Sequence, residues 1–189
     1  MATRDLNWTL LSSKSGPDLP LFTVRLDTMQ HPLSGEAFER MVLETSDWVN
    51  VVAVTAEQKV IMVQQYRFGV GALTLEPPAG LVDAGEESLD AAKRELLEET
   101  GYGGGQWSSL GRVQANPAIH NNFCHLWLAE NVSYMQDPAP DPGEAIAVKL
   151  MSPDEVRAAV AENEILHPLG LAALSRVFPL WECPFQPTP

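Results

Sequence analysis

The chain predicts an α/β fold, a mixed sheet with helices on both faces. Three observations carry this. Two adjacent apolar runs of strand length, 48–56 and 59–66, read as strands covered on both sides. Helical patterns alternate with strand patterns through the rest of the chain. Neither an internal repeat nor a long linker breaks the order, so 189 residues with 45% hydrophobic content suit one main domain with additions.

The elements follow in order. Residues 6–12, 20–28 and 37–44 read as short antiparallel strands, with turns at Ser15-Gly16-Pro17 and Ser34-Gly35. The runs 48–56 and 59–66 form a hairpin that turns near Glu57-Gln58. A helix closes at Gly101, in the position glycine takes after a last helical turn. Residues 106–114, 122–130 and 144–151 read as strands, and Asp137–Gly143 as a stiff, exposed, proline-rich loop. Residues 153–162 and 166–178 read as helices, and the tail 179–189 is proline-rich. The expected division is 1–45, 46–178 and 179–189.

The formal net charge is −13, which disfavours non-specific nucleic-acid binding and repels phosphates unless cations intervene. No run reaches transmembrane length, and the first residues lack an apolar signal core, so a cytoplasmic protein is expected. Cys124 and Cys183 are far apart and not in metal-ligand spacing. A reduced pair is expected, with Cys124 in the core. The four histidines show no ligand spacing either.

The chemistry concentrates between Gly80 and Tyr102. Glu95, Glu98 and Glu99 fall within about 100° of one another on a helix surface. Leu89, Ala92 and Leu96 make the core stripe, which puts the acids at the edge of the core. Three close carboxylates repel one another, and a hard divalent cation, Mg²⁺ or Mn²⁺, removes that cost. Arg94 lies off the acidic arc and can pair bidentately with Glu86 in the preceding loop. Taken as charge alone, the acids also suit a plain solvated helix face. Gly80, Gly85 and Gly101, at loop positions around them, weigh toward a site.

The spacing from Gly80 through Glu86, Arg94-Glu95-Leu96 and Glu98-Glu99 to Gly101 resembles the Nudix box, departing from it at Tyr102, a packing position. The resemblance implies a Nudix-type α/β/α sandwich with extra N-terminal strands, Glu95, Glu98, Glu99 and the Ala79 carbonyl as metal ligands, and hydrolysis of a nucleoside diphosphate linked to another group. Gln65-Tyr66-Arg67, Leu75-Glu76-Pro77-Pro78-Ala79-Gly80, Pro117 sixteen residues after Gly101, and the stretch from Ile165 to Leu174 are similar to the ADP-ribose pyrophosphatase subgroup. That likeness implies nucleoside diphosphate sugars as substrates, a homodimer built on the N-terminal strands, and a base from a loop after the box, for which Glu144 is the best match. Asn116-Pro117-Ala118-Ile119-His120-Asn121-Asn122 departs from the subgroup's pattern, so ADP-ribose and GDP-mannose-like substrates are both expected.

Each outside residue has a plainer reading as well. Arg67 contacts phosphate or ends a strand at the surface. Glu76 binds substrate or serves a turn. Trp48 stacks on a base, or packs in the core or at a dimer interface. His120 contacts substrate or sits in an ordinary loop. Glu144 is a base or a strand-end surface acid. The rival functions are hydrolysis of a dinucleotide (NADH, coenzyme A or diadenosine polyphosphate), a catalytically silent ADP-ribose-binding module, and a structural acidic domain. Missing Cys-rich zinc spacing weighs against the NADH type, and the intact box acids weigh against the silent module.

Overall fold

The computed structural model describes residues 5–181, in two units. The first comprises the N-terminal residues through Ser46 and Gln114–Asn122. Its sheet has the order β1-β2-β3, all antiparallel, with β1 at Thr9–Asp18, β2 at Thr23–Gln30 and β3 at Ala37–Glu44. The turn expected at Ser15-Gly16-Pro17 is instead an irregularity inside β1, where the register slips between Ser15 and Asp18. An edge strand tolerates proline at such a slip because no ladder partner needs its missing N–H. The Ser34-Gly35 turn is present, closed by the Gly35 N–H donating to the His31 carbonyl at 3.0 Å. Asp27 is buried and accepts from Ser13 Oγ and from Nε and Nη2 of Arg25, whose hydrogen bond leads in holding that carboxyl below its ordinary value. Leu10, Leu11, Phe38 and Met41 are exposed on this sheet. The segment 114–122 joins β3 through the Leu43 N–H, which donates to the Ile119 carbonyl at 2.7 Å.

The second unit comprises Asp47–Val113 and the chain from Phe123 onward. Its strands are β4 at Trp48–Thr55, β5 at Val60–Arg67, β6 at Ala72–Glu76, β7 at Ala79–Leu81, β8 at Tyr102–Gly103, β9 at Gln106–Gln114, β10 at Phe123–Tyr134 and β11 at Ile146–Met151. The helices are α1 at Ser88–Thr100, α2 at Pro153–Ala161 and α3 at Pro168–Ser175. The sheet runs β11-β5-β4-β10-β8, with β6 on β5, β7 on β4 and β9 on β10. β4 and β10 are parallel while β10–β8, β11–β5, β4–β5, β4–β7 and β5–β6 are antiparallel, so the sheet is mixed. β4 is buried from Val49 to Thr55, as its apolar run requires. Val49, Val51 and Ala53 pack with Ala91, Ala92 and Leu96 of α1. Asn50 points the other way, toward Gly170 of α3, where an added Cβ would lie 3.9 Å from its Oδ1. Leu89, expected in the core stripe, is only half-buried, whereas Ala91 is fully buried.

The opening for the site comes from the central hairpin. β4 and β5 pair only at Ala53↔Ile61 and Val54↔Val60, beside a turn where Gln58 takes φ 61°. They then diverge. β6 pairs with the far half of β5 and β7 with the start of β4. Pro77 and Pro78 join β6 to β7, and the Pro78 carbonyl accepts from the Val51 N–H at 2.9 Å. Prolines fit a crossing in which donors are not wanted.

Elsewhere the caps set the boundaries. Ser152 and Glu155 form a capping box ahead of Pro153. The His167 ring accepts from the Gly170 N–H ahead of Pro168, so α3 is shorter than the expected 166–178. β10 runs past the expected residue 130 because Asn131, at φ 58°, absorbs a register shift. Among the described residues, no helix is long and apolar enough to cross a membrane.

Candidate active site

α1 begins after the loop that contains Gly85 and ends at Gly101, whose φ of 73° suits glycine. An added Cβ at Gly101 would also lie 2.1 Å from the Gln136 carbonyl oxygen. β7 passes against the acidic edge of this helix. An added Cβ at Gly80 would lie 2.0 Å from Cδ of Glu95, so glycine there makes room for that carboxylate. The Ala79 N–H donates to Oε2 of Glu99 at 3.0 Å.

The three helix acids differ in environment. Glu99 is buried, at 2% exposure. Burial foremost, then the charges of Glu95 and Glu144, push its carboxyl up to about 8 against the opposing Ala79 N–H and Arg67. Glu95 is also pushed up, first by burial and further by Glu98 and Glu144, with Arg94 opposing. Glu98 is more open.

Arg94 grips the loop as the spacing predicts. Its Nε donates to Glu86 Oε1 at 3.0 Å and its Nη2 to Glu86 Oε2 at 2.9 Å. Nη2 also donates to the Leu81 carbonyl. The sequence places Arg94 off the acidic arc, yet Nη1 reaches back to Glu95 at 2.8 Å and Glu98 at 3.2 Å. A long arginine side chain spans more of the helix surface than its Cα position suggests. All five guanidinium donors are thereby engaged.

On the other side of the divided hairpin, Arg67 and Glu76 form a second fork. Arg67 Nε donates to Glu76 Oε1 at 2.8 Å, Nη2 to Oε2 at 2.9 Å, and Thr74 Oγ donates to Oε1 at 2.7 Å. Glu76 is 1% exposed. Burial pushes it up, but the Arg67 and Thr74 hydrogen bonds and the Arg67 charge outweigh this and leave it below its ordinary value. His167 senses both charges, and burial, its largest influence, lowers it. Thr74 and His167 escaped the sequence reading. The signal for Thr74 was its place two residues before Glu76 on one strand face. That for His167 was its position before a helix-starting proline.

Of the remaining expected residues, Glu144 acts through its charge on Arg67, Glu95 and Glu99. Glu144 is exposed in the loop before β11, with Oε2 accepting from the Asp141 N–H at 3.3 Å. Trp48 is half-buried at the start of β4, opposite Leu81 and Cys124. Pro117 and His120 belong to the first unit, where the His120 ring lies 5.3 Å from that of Phe22. Cys124 is buried as expected, and burial pushes its thiol up to about 12. Cys183, and the tail beyond Trp181, lie outside the described residues. Tyr102 packs edge-on against Tyr134, in keeping with a packing position.

Among the described residues, no three His, Cys, Asp or Glu side chains converge closely enough to hold an ion as they stand. Arg94 draws Glu95 and Glu98 together, and the Ala79 N–H holds Glu99 aside. The donor set nevertheless fits a hard divalent cation. It is all oxygen and carries excess negative charge, and its most buried member is disfavoured as an anion without further positive charge.

A divided mixed sheet thus sets a glycine turn against an acidic helix that carries an all-oxygen donor set. The chain belongs to the Nudix family, whose NUDIX domain matches residues 46–169. It is 32% identical to an ADP-ribose pyrophosphatase of Bacillus subtilis (strain 168) over 133 residues, covering 70% of this chain and 72% of the relative. It is 30% identical over 171 residues to an ADP-ribose pyrophosphatase of Mycobacterium tuberculosis, covering 89% of this chain and 82% of that one. The crystal structure of an ADP compounds hydrolase shares the fold with a TM-score of 0.82 at 21% identity, covering 93% of this chain and 95% of that chain.

Proposed function

We propose that this chain hydrolyses the diphosphate of nucleoside diphosphate sugars, of ADP-ribose or GDP-mannose type, to a nucleoside monophosphate and a sugar phosphate. The carrying observation is the buried Glu99, held on the Gly80 turn beside Glu95 in a field that disfavours its charge. Glu95, Glu98, Glu99 and the Ala79 carbonyl would hold Mg²⁺, with Mn²⁺ as substitute. When bound, such a cation neutralises the diphosphate and acidifies a coordinated water. Arg67 presents charge to a phosphate oxygen. Glu144, exposed and accepting from the Asp141 N–H at a loop turn, takes the proton as water attacks phosphorus. Trp48, half-buried at the start of β4, is a candidate for the nucleoside.

Residues 1–45 serve as a dimerisation sheet for the domain 46–178 in this reading. The exposed Leu10, Leu11, Phe38 and Met41 support it, and light scattering tests it. A cytoplasmic location goes with the same reading. The decisive experiment is turnover of ADP-ribose, GDP-mannose, UDP-glucose, NADH and diadenosine polyphosphates, with Mg²⁺ or EDTA. Metal-dependent release of a nucleoside monophosphate from ADP-ribose or GDP-mannose supports the proposal. Preference for a dinucleotide moves the chain to that class, and binding without turnover makes it a silent module.

A further inference from the structure

We propose that Glu76, assisted by Thr74, is a positioning residue that holds the Arg67 guanidinium with its Nη1 edge presented to the substrate's diphosphate. The inference rests on the nucleotide-sugar reading above and adds a residue that touches no substrate. Two arginines flank the acidic helix edge, and their donors are spent differently. Arg94 uses all five on Glu86, Leu81, Glu95 and Glu98, which leaves nothing for a ligand. Arg67 uses one Nε and one Nη2 donor, both on Glu76. Three N–H groups, including both on Nη1, have no protein partner among the described residues. The Arg67 side chain is 40% exposed, whereas that of Glu76 is 1% exposed.

A buried carboxylate under a half-open arginine is a poor device for stability alone, because desolvation offsets much of the attraction. It is a good device for aim. Gripping Nε and Nη2 fixes the guanidinium plane and turns Nη1 away from the grip. Thr74, opposite Gln65 on the paired strand and so two ladder positions from Arg67, fixes the carboxylate itself at 2.7 Å. Arg67 is close enough to Glu99 and Glu144 to sense both charges, so its free edge lies in the field of the same acids. A preset donor edge loses less freedom on binding than a loose side chain would.

The test compares wild type with Glu76→Gln, Thr74→Val, Arg67→Met and the Arg67→Met/Glu76→Gln pair. It reads kcat and KM for ADP-ribose, calorimetric binding of inorganic pyrophosphate in Mg²⁺, and thermal unfolding. Glu76→Gln should raise KM and weaken pyrophosphate binding about tenfold while kcat stays within about twofold. Thr74→Val should do the same more mildly. In the pair, Glu76→Gln should add nothing to Arg67→Met, since it acts through Arg67. Wild-type affinity in folded Glu76→Gln overturns the proposal, as do multiplying effects in the pair. If Glu76→Gln does not fold, an unchanged Thr74→Val overturns it. A wild type that binds no pyrophosphate does so too. The expected pyrophosphate pattern without turnover of any nucleotide sugar would remove the substrate reading and leave the positioning role standing.

Discussion

Glu99→Gln tests the metal assignment through stability as well as rate. The folded protein raises the Glu99 carboxyl from an ordinary 4.5 to about 8, chiefly by burying it. Below pH 4.5 both folded and unfolded chains carry the proton, and the group's stabilising effect is fully present. Between 4.5 and about 8 the folded chain keeps a proton that the unfolded chain has released. Stability then falls with rising pH by about 1.4 kcal/mol per pH unit, to a total of at most about 5 kcal/mol. For a chain of this size each kcal/mol is worth about 2–4 °C of melting temperature. In EDTA the wild-type melting temperature should therefore drop by about 3 °C per pH unit across that window, beyond the slope of Glu99→Gln. The glutamine still offers an acceptor to the Ala79 N–H, so no donor is orphaned. Saturating Mg²⁺ should restore the wild type at pH 8 and leave the variant almost unmoved. Turnover should fall at least about a hundredfold, because ligands acting as a unit fail together. Calorimetric melting in EDTA and in Mg²⁺, paired with turnover, reads all three. Parallel pH slopes, or a variant that unfolds yet keeps its turnover per folded molecule, would refute the reasoning.

Gly80→Ala puts a methyl 2.0 Å from the Glu95 carboxyl, whose flexible end can swing clear. Turnover should collapse by about a hundredfold while melting shifts only a few degrees, which activity and thermal scans compare directly. Glu144→Gln, on an exposed loop, should lower kcat about a hundredfold or more without moving the melting temperature; a normal kcat removes Glu144 from the mechanism. Leu96→Ala empties a fully buried place in the α1 core and should cost about 2–5 kcal/mol in urea denaturation, with turnover per folded molecule kept.

The sequence by itself determined the acidic helix, its closing glycine and the Arg94–Glu86 fork, because spacing of a few residues fixes which groups meet on one helix and its flanking loop. It also determined the central buried strands, whose apolar runs leave little choice. Local turn signals were weaker. Ser15-Gly16-Pro17 promised a turn, but cross-strand pairing carried β1 through it with a slipped register. Only the tertiary structure decided how Arg67 joins Thr74 and Glu76, since it meets them across a ladder between strands and not along one element. Only the structure decided that Glu99 is the buried acid and Glu98 the open one. Desolvation depends on what the rest of the chain packs against a group, and no spacing rule contains that.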